Sequence, residues 1–105
     1  MLCIIREVYS YDGSWGASPN NVSNEYKILG FVCDNEIDKA KQWIEDHAEA
    51  EDQLPYGTLV CKQVKDFKWS GDLENQVYKS RIEGSKYGDD DEITTTYKIV
   101  KVNSL

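Results

Sequence analysis

The stretch EYKILGFVC, residues 25–33, decides the fold of this chain together with the segment that follows it as far as Phe67. Its apolar, aromatic and β-branched side chains are typical of a half-buried β-strand. Asp34 or Asn35 then offers a side-chain oxygen to the free amides of a helix start. We expect a helix near 35–51, followed by a returning strand over 58–67.

The helical segment is amphipathic. Its apolar residues recur at intervals of three and four, which places them on one face of a helix that packs against a sheet. Trp43 and His47 are four residues apart on the flank of that face. Pro55 and Gly57 end the helix in a turn, since proline cannot continue it. The predicted inward face consists of Ile37, Ala40, Ile44 and Ala48.

The remaining segments add strands but no second helix. The chain of 105 residues has the length of one domain, 1–105. The predicted order is β-β-α-β-β-β, an α+β fold with a single antiparallel sheet of four or five strands and one acidic helix packed on one face. The first two strands are expected to pair antiparallel around a long loop, 10–24, and the last three to form a meander. The strands are predicted at 2–9, 25–33, 58–67, 76–83 and 93–102.

The three cysteines lie far apart in predicted strands and form no CxxC pair. Cys3, Cys33 and Cys61 are therefore expected to be buried, reduced thiols. The N-terminal residues lack the basic and apolar regions of a signal peptide, and no apolar run is long enough to cross a membrane. These features favour a cytoplasmic protein.

Candidates for chemistry are few. The acidic run 89–92 offers oxygen ligands for a cation, but it lacks the spacing of a calcium loop and is typical of a solvated turn. His47 is the only histidine, and a lone histidine on a helix flank is more often structural than catalytic. Motifs of hydrolases, phosphate-binding loops and zinc peptidases are absent from the sequence. We therefore expect no enzyme activity, no catalytic residues, no cofactor and no resident metal.

The distribution of charge is more informative than its total of −7. The segment 34–52 carries eight acidic residues against Lys39 and Lys41, a net charge of −6, whereas 58–82 carries a net charge of +2. An acidic surface repels nucleic acid and attracts basic clefts. Aromatic side chains in the long loop are candidate apolar anchors beside it. The candidate partner-binding residues are Glu45, Asp46, Glu49, Asp52, Tyr11 and Trp15.

Two short motifs carry a resemblance to a known class of proteins. Ile28-Leu29-Gly30-Phe31-Val32 and Ala40-Lys41-Gln42-Trp43-Ile44 resemble the strand-helix-strand pattern of small proteins from phages and bacterial mobile elements, over a little more than half of the chain. That class has no settled activity, so the resemblance implies no functional residue. The size and acidity of the chain are similar to those of phage-encoded inhibitors of host defence, anti-CRISPR proteins among them, which would act in the host cytoplasm.

Three functions remain open. The first is a non-enzymatic binding module that engages a basic, nucleic-acid-binding surface of a host protein, such as a CRISPR or other defence effector, without binding nucleic acid or membrane itself. The second is a structural or accessory protein that self-associates, as a homodimer for example, through a sheet edge or its aromatic loop. The third is a small ligand- or metal-binding module that uses the 10–24 loop.

Overall fold

The computed structural model describes residues 1–11, 22–49, 53–54, 57–58, 67–72, 75–83 and 92–102. Five strands form one antiparallel sheet in the order β2-β1-β7-β6-β5, and a separate two-stranded hairpin pairs β3 with β4. The predicted α+β fold is therefore confirmed, with one five-stranded sheet and one helix among these residues. The elements are β1 (Leu2–Tyr11), β2 (Val22–Val32), α1 (Ile37–His47), β3 (Gln53–Leu54), β4 (Gly57–Thr58), β5 (Lys68–Ser70), β6 (Asn75–Glu83) and β7 (Glu92–Lys101).

Strand β7 lies at the centre of the sheet, between β1 and β6. The predicted antiparallel pairing of the first two strands is confirmed, and the β1–β7 pairing joins them to the β5–β6–β7 meander. β7 is rich in β-branched residues, which suit a pleated strand whose two faces are both covered. Its side chains from Ile93 to Tyr97 are buried on both faces.

The core lies between α1 and one face of the sheet. Ala40 and Ile44 of the helix pack on Leu2 and Ile4 of β1 and on Tyr97 and Ile99 of β7. Because side chains alternate across a strand, the paired residues Ile4 and Ile99 point to the same face, and the helix covers them there. Burial of this apolar face is the main force that holds α1 on the sheet.

The predicted helix start is wrong by two residues. Glu36 is the N-cap and makes no side-chain capping bond, whereas Asp34 and Asn35 lie in the preceding turn. Asp34 is held by the terminal ammonium group of Met1 instead. The Glu36 carboxylate accepts the Cys33 amide proton at 3.1 Å, and the Glu36 amide donates to the Cys33 carbonyl at 2.9 Å. The turn is thus closed by reciprocal bonds between Cys33 and Glu36. The helix also ends earlier than predicted, because Ala48 is extended with ψ 128°.

Two further expectations need correction. Cys33 is exposed rather than buried, since it follows the last residue of an edge strand; Cys3 is buried as predicted. The predicted loop 10–24 is shorter, because its two ends belong to β1 and β2. Three predicted features lie outside the described residues: the middle of that loop, 12–21, most of the predicted strand 58–67, and Cys61.

A turn at Gly71 separates β5 from β6. Trp69 and Ser70 belong to β5, and the chain reverses at Gly71, whose φ of 101° lies in the left-handed region that glycine adopts without strain. A Cβ atom at this position would collide with the carbonyl oxygen of Asn75. Asp72 then accepts the Asn75 amide proton at 2.9 Å and closes the turn into β6.

Candidate functional site

The outer face of α1 and Glu49, which follows its C-cap, present carboxylates that no cation among the described residues neutralises. Asp38, Asp46 and Glu49 are exposed, while the same helix directs Ala40 and Ile44 into the core. Gln42 donates to Asp46 at 3.0 Å, one turn apart on the exposed surface. Among the lysines and arginines that the structure describes, none forms an ion pair with these three carboxylates. These carboxylates therefore lie on the exposed side of the helix and just after its end, without a cationic partner among the described residues.

The first acids of the same segment behave differently, because each has a partner. Asp34 pairs with the Met1 ammonium group, whose hydrogen bond is the main reason that the pKa of Asp34 is lowered. Glu36 pairs with Lys39 at 3.3 Å. The pKa of Glu36 is lowered first by the Cys33 amide bond and then by the Cys33 thiol and Lys39. These two acids close the helix start and are not equivalent to the outer carboxylates.

Glu45 faces the sheet side of the acidic segment. One of its oxygens accepts the indole proton of Trp69 at 2.9 Å. The Trp69 ring stacks on Tyr78, with 4.7 Å between centroids, and the Lys41 ammonium lies 5.5 Å from the Trp69 ring centre. Burial, and then the negative charge of Glu45, raises the pKa of Tyr78. Glu45 thus joins α1 to β5 through an exposed hydrogen bond.

Tyr97 joins the other end of the helix to the centre of the sheet. Its hydroxyl oxygen accepts the Glu49 amide proton at 3.1 Å and the Arg6 Nε proton at 3.2 Å. The Arg6 guanidinium lies 5.9 Å from the Tyr97 ring centre. Tyr97 is buried, so these bonds are partly shielded from water. The hydrogen bond to Tyr97 fixes the position of the Glu49 backbone just after the helix. The sequence pattern indicated only that Tyr97 belongs to a strand.

An apolar pocket of about 240 Å³ lies between α1 and β2. Trp43 lines this pocket, and 40% of its surface is exposed. Its ring stacks on that of His47, with 4.4 Å between the ring centroids. His47 Nδ1 donates to the Trp43 carbonyl at 2.7 Å, because a carbonyl oxygen only accepts. The predicted placement of this pair on the helix flank is confirmed. The pocket is lined by Ile4, Leu29, Gly30, Phe31, Val32, Lys39, Ala40 and Trp43.

Strand β2 exposes more large apolar side chains than the pattern EYKILGFVC predicted. Tyr26, Ile28 and Phe31 are 64%, 61% and 55% exposed, and Val22 at the start of the strand is exposed as well. The strand lies at the edge of the sheet and pairs only with β1 among the described strands. Periodicity cannot show which strand becomes an edge, so the sequence did not reveal this surface.

The other candidate residues are partly placed. Tyr11 ends β1, where it pairs with Val22 and Glu92. Trp15, Asp52 and the acidic positions 89–91 lie outside the described residues. Glu92 is the first residue of β7.

No group of three or more potential metal ligands is found among the residues placed by the structure. Among the described residues, no helix is long and apolar enough to cross a membrane.

Comparisons with known proteins return no relative. No family model, no curated protein and no solved structure matches this chain.

Proposed function

We propose that this protein is a non-enzymatic protein-binding module whose acidic helix α1 occupies a basic, nucleic-acid-binding surface of another protein. The observation that carries the proposal is the set of exposed carboxylates of Asp38, Asp46 and Glu49, which no described cation neutralises. Exposed charges of one sign attract a complementary surface over several ångströms and speed association.

The rigidity of the helix supports this proposal. Ile44 is fully buried beneath the acidic face, Glu45 is bound to Trp69, and the Glu49 amide is bound to Tyr97. The helix is therefore attached to the sheet along its length, and its outer carboxylates keep fixed spacings. Fixed spacings reduce the entropy lost on binding. Trp43, exposed beside this face, supplies the kind of aromatic anchor that contributes most to interface energies.

A partner that binds nucleic acid fits this chemistry best. Exposed carboxylates present negative charge as phosphate groups do, and lysine and arginine side chains bind both groups. The resemblance to phage-encoded inhibitors of host defence points in the same direction, and a CRISPR or other defence effector would be such a partner. We place the interaction in the cytoplasm of a host cell.

The test compares three immobilised proteins: the wild type, D38N/D46N/E49Q, and a matched control, D89N/D90N/D91N. The control loses the same charge from a different acidic segment. The probe is the heparin-retained protein fraction of a bacterial lysate. We expect the wild type and the control to retain the same proteins and to release them when duplex DNA or salt is added. The helix variant should lose them while its circular dichroism stays unchanged. Equal retention by the helix variant, or no competition by DNA, would refute the proposal.

A further inference from the structure

Strand β2 is a long edge whose outer side is unpaired in the described part of the chain. It runs from Val22 to Val32, eleven residues, whereas the opposite edge strand β5 has three. An exposed edge of this length presents unpaired backbone amides and carbonyls to another strand. β2 also has four of the large apolar side chains that the described residues expose: Val22, Tyr26, Ile28 and Phe31. These properties favour pairing with a second strand.

The regular part of this edge ends at a bulge. Ile4 of β1 pairs with Gly30 and Ile5 pairs with Ile28, so Leu29 is the extra residue. Bulges limit how far a new strand can extend. From Val22 to Ile28 the alternation is undisturbed, with Tyr26 and Ile28 on the face opposite to α1 and Glu25 and Lys27 on the helix face. Pairing is therefore confined to this segment.

The charges in the segment favour a second copy of β2 as the partner and favour one register. In an antiparallel pairing of β2 with a second copy of itself, a register centred on Glu25 puts two carboxylates opposite each other, and a register centred on Lys27 puts two ammonium groups opposite each other. Like charges at directly opposed positions destabilise a sheet. A register centred on Tyr26 instead places Glu25 of each copy opposite Lys27 of the other. Both residues are exposed, and neither forms an ion pair among the described residues.

We propose that this protein forms a two-fold symmetric homodimer by antiparallel pairing of β2 with β2 of a second copy, centred on Tyr26. The two sheets then join into one sheet of ten strands. The two-fold axis is perpendicular to the sheet, so both α1 helices lie on the same face. The acidic faces remain accessible, and the dimer goes beyond the proposed function without competing with it.

The first experiment measures association by sedimentation from about 10 μM to about 1 mM, a range that covers weak dimers. The wild type is expected to shift from monomer to dimer. E25K and K27E, which bring like charges together, should each remain monomeric at concentrations where the wild type dimerises. The double exchange E25K/K27E should restore the dimer, and an equimolar mixture of E25K with K27E should form a heterodimer. Restoration by the double exchange is specific to the register centred on Tyr26.

A second experiment tests the two-fold axis directly. Opposed residues in antiparallel strands have Cα atoms about 4.5–5.5 Å apart, within the range that a disulfide bridges. In a C33S/C61S background, Y26C should therefore form a covalent dimer on mild oxidation. N24C and I28C face each other only across the two copies, so each alone should crosslink poorly, whereas their mixture should crosslink well. A wild type that stays monomeric to about 1 mM, or crosslinking of I28C alone as fast as Y26C, would overturn the proposal.

Discussion

Ile44 is the residue at which the helix meets the sheet. It is fully buried, and with Ala40 it packs against β1 and β7 side chains. Ile44→Ala should lower the free energy of unfolding by about 2–5 kcal/mol, because it removes buried methyl groups and leaves a cavity. Urea denaturation followed by circular dichroism measures the change.

The matched control for Ile44 is Gln42→Ala on the exposed side of the same helix. Gln42 makes one solvent-exposed bond to Asp46, so its removal should change the free energy of unfolding by less than about 0.5 kcal/mol. Similar losses for the two variants would mean that Ile44 contributes no more than a surface residue.

Glu36 gives the helix start a pH dependence. Its pKa is below the ordinary value of 4.5, first because the Cys33 amide donates to the carboxylate. A carboxylate with a lowered folded-state pKa stabilises the fold above its unfolded pKa, and that stabilisation is lost as pH falls through the folded pKa. The wild type should thus exceed Glu36→Gln in unfolding free energy at pH 7, and the difference should shrink below about pH 4.

Unfolding in urea at several pH values measures this difference. Lys39→Met is the informative control, because it removes the ion pair at 3.3 Å but keeps the Cys33 amide bond. Most of the pH dependence should survive in this variant. A difference between wild type and Glu36→Gln that is the same at pH 7 and at about pH 3 would show that the charge of Glu36 has no role.

At the scale of elements, Tyr97 connects the C-terminal end of α1 to the central strand. Tyr97→Phe keeps the ring in the core but removes the acceptor of the Glu49 and Arg6 bonds. We expect a loss of about 1–3 kcal/mol in unfolding free energy, the usual effect when a shielded donor loses its acceptor. Hydrogen exchange at the Glu49 amide should accelerate more than exchange at the centre of the helix.

Tyr26→Phe is the matched control, because it removes the hydroxyl of a tyrosine in another strand, β2. The Tyr26 hydroxyl is exposed and accepts only from Asn24 among the described residues, at 3.3 Å. Its removal should leave the stability nearly unchanged. If Tyr97→Phe were equally neutral, the end of the helix would be held by apolar packing alone.

The elements also show what the sequence can and cannot predict. Between Val32 and Thr58 the apolar residues recur every three or four positions instead of every second position as in a strand. This spacing predicted the helix and its inward residues, since local amphipathic spacing determines which helix face is buried. The N-cap was misplaced because Asp34 is held by the distant Met1 ammonium group, a tertiary contact. The candidate residue Glu45 was identified from charge alone, and its bond to Trp69 follows from strand pairing that no local pattern encodes. The edge position of β2, and with it the exposure of Cys33, Ile28 and Phe31, depends likewise on strand order.

At the scale of the whole molecule, net charge gives the two proposed interactions, the dimer and the complex with a basic partner, opposite dependences on salt concentration. Each chain carries −7, so two copies repel each other, whereas a basic partner is attracted. Raising the salt concentration from about 0.01 M to about 0.15 M shortens the screening length from roughly 30 Å to roughly 8 Å. This screens the long-range repulsion between copies strongly, but it screens opposed side chains about 5 Å apart much less.

The dimer should therefore tighten as salt is raised over this range, while the complex between the acidic helix and its basic partner should weaken. Sedimentation of the isolated protein and retention of heparin-binding proteins, each measured at about 0.01, 0.05 and 0.15 M salt, give the two slopes. The double exchange E25K/K27E has the same net charge as the wild type, so its dimer should respond to salt in the same way. D38N/D46N/E49Q carries less negative charge, and its dimer should change less with salt. If association of the wild type weakens in parallel with partner binding, attraction between opposite charges and not repulsion between the copies governs the dimer, and this expectation is wrong.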